Sequence, residues 1–140
     1  MDYKIENCTG SEAEYIIDRL VEYNLSQVPA KQKVLFDNLD KKITGDNGKI
    51  IAGCIARMYC WNVAYIDTLW VDEKYRDKGI GSNLLAEIEK TAKDKGCYLI
   101  HLDTFDFQAK VFYEKQGYEI FGILDDCPKG HCRYYLKKTI

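Results

Sequence analysis

The stretch Leu69-Trp70-Val71-Asp72-Glu73-Lys74-Tyr75-Arg76-Asp77-Lys78-Gly79-Ile80-Gly81-Ser82 governs how the rest of the chain is read. It passes from an apolar, strand-like run through a charged connection to two glycines. An amphipathic helix follows, with Leu84, Leu85, Ile88 and Ala92 on one face. A helix that starts this way offers an anion backbone N–H groups without intrahelical partners, and the positive end of its dipole. Gly79 and Gly81 have no Cβ to hold a phosphate away, Ser82 adds a hydroxyl donor, and Arg76 and Lys78 add positive charge. Phosphate is the expected guest, against the plainer alternative that the glycines only serve a turn. A dinucleotide fingerprint would need a third glycine where Leu84 stands. A P-loop would need Gly-Lys-Ser/Thr where Gly81-Ser82-Asn83 stands. Neither pattern is met.

Upstream of this stretch, Tyr3 to Cys8 alternate and predict a first strand. Thr9 or Ser11 can then cap a helix with Tyr15, Ile16, Leu20 and Tyr23 at helical spacing. Pro29 breaks the pattern, and Lys31 to Asp40 reads as a weaker helix or loop. From Lys41 the period becomes two. Asp46-Asn47-Gly48 suits a tight hairpin turn, Lys49 to Tyr59 a strand, Trp61-Asn62 a second turn, and Val63 to Val71 another strand. Downstream, the helix from Gly79 ends at Gly96, and Tyr98 to Leu102 is a short buried strand. Phe107 to Gln116 forms a helix stopped by Gly117, and Tyr118 to Leu124 pairs with Arg133 to Lys137. The order β-α-(α)-β-β-β-α-β-α-β-β, with no repeat or linker, predicts one domain over residues 1–140 built on a mixed α/β sheet covered on both faces.

Composition narrows the function. A net charge of -2 gives no basic field, so nucleic acid is not an expected partner. Met1 to Glu6 alternates charged and apolar residues unlike a signal peptide, and no stretch approaches ~20 apolar residues. The expectation is a cytoplasmic protein that does not enter a membrane. The six cysteines are scattered through apparent strands and read as reduced thiols. Cys127 and Cys132 beside His131 have irregular spacing for zinc, and no metal is expected.

Leu69-Trp70-Val71-x4-Arg76-x-x-Gly79-x-Gly81 resembles the acetyl-CoA motif of the GCN5-related N-acetyltransferases. Phe112-Tyr113-Glu114-Lys115-x-Gly117-Tyr118 resembles that family's second signature, in the expected order and at the expected spacing. The resemblance implies a mostly antiparallel sheet of six to seven strands that splays between the fourth and fifth, with helices on both faces. It implies that acetyl-CoA is the donor, its pantetheine arm along Leu69, Trp70 and Val71 and its pyrophosphate at Arg76, Asp77, Lys78, Gly79, Ile80, Gly81 and Ser82. Two positions depart from the pattern. Asp77 stands where glycine is frequent, and Asp106 stands where an asparagine commonly contacts the cofactor, so Asp106 is left out of the binding set.

Acetyl transfer needs a neutral amine, and an alkylamine of pKa ~10.4 is almost fully protonated at pH 7. Asp67 is the expected base, placed by simple alternation on the face shared by Tyr65 and Leu69; its alternative role is to hold an ammonium group. Asp103 is the rival, or else a turn contact. Tyr113 occupies the family position for the acid that protonates the departing thiolate, with core packing as the other reading. A cysteine nucleophile is disfavoured because Cys54 and Cys60 have no histidine paired with them in sequence.

The resemblance implies an acceptor cleft at Tyr59, Trp61, Tyr65, Tyr134 and Tyr135, with half-buried sheet packing as their other reading, and Asp67, Asp103, Asp125 and Asp126 favour a small cationic amine as acceptor, such as a polyamine-like metabolite or an amino-sugar antibiotic. A protein N-terminus or lysine is the alternative, and a non-catalytic acyl-CoA sensor is the reading from another class. A homodimer is among the states the resemblance allows.

Overall fold

A computed structural model describes all 140 residues. Its centre is a hairpin made by the two period-two runs: β3 (Ile50–Tyr59) and β4 (Val63–Val71) pair antiparallel along nearly their whole length. The turn between them places Cys60 and Asn62 at positive φ, 36° and 61°. On the other edge of β3 lie two short strands, β1 (Phe36–Asn38) and β2 (Lys41–Thr44). Leu39 and Asp40 join them through bonds to Ala56, Leu39 N–H donating to its carbonyl and its N–H donating to Asp40 Oδ1. Beyond β4, β5 (Leu99–Phe105) is parallel, and β7 (Cys132–Thr139) and β6 (Glu119–Asp125) close the sheet antiparallel. The spatial order is β1-β3-β4-β5-β7-β6, with β2 also on β3.

The expected mixed sheet is present, and the single parallel pair is the one that must be joined through a helix. That helix, α2 (Ile80–Asp94), buries the four residues its period marks out: Leu84, Leu85, Ile88 and Ala92. They share one core with Ala52, Cys54, Ala56, Met58, Ala64, Ile66, Ile100, Leu102 and Leu136 from the sheet. Burying each large aliphatic side chain here contributes about 1.5–3 kcal/mol. Helix α3 (Lys110–Lys115) adds Tyr113 to the same core and ends at Gly117, whose φ is 93°.

The N-terminal expectation needs correction. Tyr3 to Cys8 form no strand and lie exposed, and α1 (Gly10–Gln27) follows them. The local signals for α1 are sound: Thr9 Oγ1 accepts from Glu12 N–H, and the Glu12 carboxylate accepts from Thr9 N–H. Yet no residue of α1 is buried. Alternation and helical period report which face is apolar, and they do not name what covers it. The sheet face opposite α2, carrying Ile55, Arg57, Tyr59, Tyr65, His101, Tyr135 and Lys137, has none of these side chains more than partly buried. No helix is long and apolar enough to cross a membrane.

Candidate active site

The site begins where β4 parts from β5. Val63, Ala64, Tyr65 and Ile66 pair with Leu99, Ile100, His101 and Leu102, and the pairing stops there. β5 stays with β7 as far as Phe105, while β4 continues on β3 alone to Val71. The β5-side backbone groups of residues 67–71 have no strand partner, a ready edge for an extended polar ligand.

A β-bulge sits at the parting. Ile66 pairs with Ala56 and Thr68 with Ile55, so Asp67 is an extra residue without a partner. Simple alternation therefore fails here. Tyr65, opposite Arg57, faces away from α2, while Leu69, opposite Cys54, faces it. Asp67 does not share one face with both, because one inserted residue inverts the side-chain parity of the strand. Its carboxylate is exposed, accepts from Thr68 Oγ1 at 2.9 Å, and borders a small recess of about 50 Å³ with Tyr65, Arg57, Asn38 and Asp40.

At the far end of β4, Arg76 Nε donates to the Val71 carbonyl at 3.0 Å, tying the charged connection to the strand. Asp77 adopts φ 61° and Gly79 φ 78°. The first is a conformation aspartate tolerates, which explains how this position does without glycine. Gly79 is the N-cap of α2 and supplies no side-chain cap, and the first turn holds no acid. The N–H groups of Ile80, Gly81 and Ser82 thus remain open to an anion. Gly81 packs close, a Cβ there meeting Phe112 at 3.5 Å and Val71 at 3.6 Å. Lys78 Nζ lies 5.8 Å from the centre of the Tyr75 ring. All seven residues expected at the pyrophosphate, 76–82, are brought together, and Leu69, Trp70 and Val71 line the open half of β4.

Tyr113 is buried against this region, its ring 5.3 Å from that of Phe112 and 5.7 Å from that of Tyr118. Burial, with Cys54 and Asp103 nearby, pushes its hydroxyl well above the ordinary tyrosine range, so it stays protonated. Burial likewise pushes the Cys54 thiol up to about 12, which leaves it a poor nucleophile at neutral pH.

Asp103 is committed elsewhere. Its Oδ1 accepts from Arg133 Nε at 2.9 Å and also pairs with Arg133 Nη2, and its Oδ2 accepts from Tyr65 Oη at 2.7 Å. A carboxylate with both oxygens so engaged is placed to hold Tyr65 and Arg133. Burial and this bond push the Tyr65 hydroxyl up to about 12. Beside them Tyr59 Oη lies 2.8 Å from His101 Nε2, and burial lowers the His101 pKa. None of these long-range pairs has a local sequence signal.

Other expected acceptor residues scatter. Tyr134 pairs with Thr104 and packs under Lys110 on the α2 face, away from Tyr135. Asp126 accepts from Gly130 N–H in the β6–β7 turn, and Asp106 is engaged by His131 Nδ1 and Cys132 N–H. Asp106 thus fastens the start of β7.

Residues 14–118 match the model of the acetyltransferase (GNAT) family. The chain belongs to that family. It is an N-acetyltransferase, and acetyl-CoA is the donor the family uses. The 1.9 Å crystal structure of an acetyltransferase from Bacillus cereus superposes with a TM-score of 0.90 at 43% identity, covering 99% of this chain and 98% of that one. Agreement at that level takes in α1, because residues 1–28 are a fifth of the chain and their displacement would hold the score lower. The blasticidin-S acetyltransferase of Streptomyces morookaense is 34% identical over 97 residues, 69% of this chain and 71% of that protein. A streptothricin acetyltransferase from Bacillus anthracis, solved with acetyl coenzyme A, superposes with a TM-score of 0.66 at 26% identity, over 74% of this chain and 63% of that one.

Proposed function

We infer that the enzyme moves the acetyl group of acetyl-CoA to a primary amine on a small cationic acceptor by direct attack. The observation that carries this reading is the parting of β4 from β5 at Asp67, which ends in the uncapped start of α2. The start of α2 suits the pyrophosphate: its N–H groups are open, its first turn lacks acid, and beside Gly79 stands only the Ser82 hydroxyl, 3.9 Å from where a Cβ would lie. The unpaired edge of residues 67–71 suits the amide groups of the pantetheine arm. The thioester supplies an activated acyl carbon at the parting of the strands.

Each remaining task falls to a residue of this chain. Asp67 takes the proton from the acceptor ammonium, directly or through water, from an exposed position at the bulge. Tyr113, kept protonated by burial, donates toward the leaving sulfur, whose conjugate acid has a pKa of ~8.5. Tyr65, fixed by Asp103, forms one wall of the acceptor side. The acidic and aromatic character of this side favours a cation. The acceptors named in blasticidin-S and streptothricin acetyltransferases support a small-molecule amine over a protein.

Thiol release from acetyl-CoA, followed across polyamines, blasticidin S, streptothricin and lysine peptides, tests the reading. Turnover is expected with a cationic small molecule; turnover confined to peptides would displace it. With that acceptor, Asp67→Asn should lower kcat by about a hundredfold. A rise in KM alone would make Asp67 a substrate-holding residue.

A further inference from the structure

Helix α1 is the anomaly of the fold. Ile16, Ile17, Leu20 and Tyr23 span a broad apolar arc, yet each is 58–60% exposed, and Tyr3 and Ile5 ahead of them are more exposed still. On the sheet, the face opposite α2 shows Ile55 and Phe121 about half exposed, with Tyr59, Tyr65 and Tyr135 partly open beside them. An apolar helix without a sheet and a sheet face without a helix occur in one chain.

The surface area carries the same message. The chain exposes 9955 Å². A folded monomer of 16.2 kDa exposes about 7,500 Å². The excess of about 2,500 Å² per chain, doubled, falls at the size of a permanent homodimer interface.

The linker explains why α1 does not cover its own sheet. Trp61 Nε1 donates to the Val28 carbonyl at 2.8 Å, Lys31 N–H to the Cys60 carbonyl at 2.8 Å, and Asn62 N–H to Gln32 Oε1 at 2.9 Å. Cys60 N–H closes the series on the Leu35 carbonyl at 2.7 Å. Residues 28–35 are thereby pinned across the β3–β4 turn at one end of the sheet, and α1 leaves from there. Acids on α1, Glu12, Glu14, Asp18 and Glu22 against the lone Arg19, complement Arg57 and Lys137 on the bare face.

We propose that two copies of this chain exchange their N-terminal arms, each α1 laying its apolar arc on the bare sheet face of the other. The occupant of that face is the partner's α1, which in the dimer lies beside Tyr65 and so borders the acceptor side of the proposed function.

Light scattering on the full chain should give twice 16.2 kDa at micromolar concentration. A monomer would overturn the proposal, whether its arm folds back or awaits another protein. The double variant Ile16→Asp/Leu20→Asp changes residues exposed within their own chain, so it should keep its circular dichroism and halve the mass. A dimer that survives it would also overturn the proposal. Exchange is separated from simple docking by a photo-crosslinking residue at position 20, in chains co-refolded from ¹⁵N-labelled and unlabelled protein. Adducts joining the arm of one label to residues 55–65 of the other are expected. Adducts confined to one label, or running arm to arm, would overturn it.

Discussion

Along β4, residues 63–66 are held on both edges, by β3 and β5, whereas residues 67–71 are held by β3 alone. The first half contains Ala64 and Ile66, which are at most 2% exposed; the second contains Trp70, at 45%. One strand thus divides its work. The doubly paired half supports the core, and the singly paired half leaves backbone groups and side chains available to a ligand. The bulge at Asp67 is the boundary, and it turns the strand's side chains as well as ending its pairing.

If that division is right, damage to the two halves should separate stability from chemistry. Ile66→Ala, in the closed half, should cost about 3 kcal/mol in denaturant unfolding while leaving acetyl-CoA affinity within about twofold at temperatures where the fold persists. Equal loss of binding would erase the distinction. Tyr113→Phe, beneath the open half, should lower kcat by about a hundredfold with KM nearly constant. Full kcat in a folded variant would return Tyr113 to a packing role. Gly79→Asp places a Cβ at positive φ and a negative charge at the start of α2. Calorimetric affinity for acetyl-CoA should weaken by about 2 kcal/mol. Unchanged affinity would remove the pyrophosphate site from this loop.

The smallest expected effect concerns His101, on the closed half of β5. Burial lowers its pKa in the folded chain, partly opposed by Asp103. The unfolded chain therefore takes up this proton at a higher pH than the folded one. His101 costs the fold nothing well above the ordinary histidine pKa of about 6.5, and its penalty grows as pH falls below that value. Unfolding midpoints at pH 7.5 and 5.5 should show this decline, and His101→Gln should flatten it. An unaltered slope would assign the decline to other groups.

Local signals carried far in this chain. The glycine loop, the hairpin at Asp46-Asn47-Gly48 and the buried face of α2 depend on neighbours within a turn or two of chain, and each lies where residue spacing puts it. The bulge was not legible, because one inserted residue leaves no mark in composition yet reverses every side chain after it. The engagement of Asp103 by Arg133 and Tyr65 joins residues 30 and 38 positions away, a distance over which spacing carries no information. The strand expected at Tyr3 to Cys8 failed for another reason. Alternation describes a strand's two faces, and a strand also needs an edge to pair with.

Trp61 holds the linker of α1 through Val28, and Trp70 stands on the open half of β4. They are the chain's only two tryptophans. One indole fluorophore thus stands at the root of the arm and the other on the strand edge proposed for the pantetheine arm. With Trp61→Phe and Trp70→Phe read separately, ultraviolet emission becomes a two-channel signal, one reporting the arm and the other the donor, without any added dye.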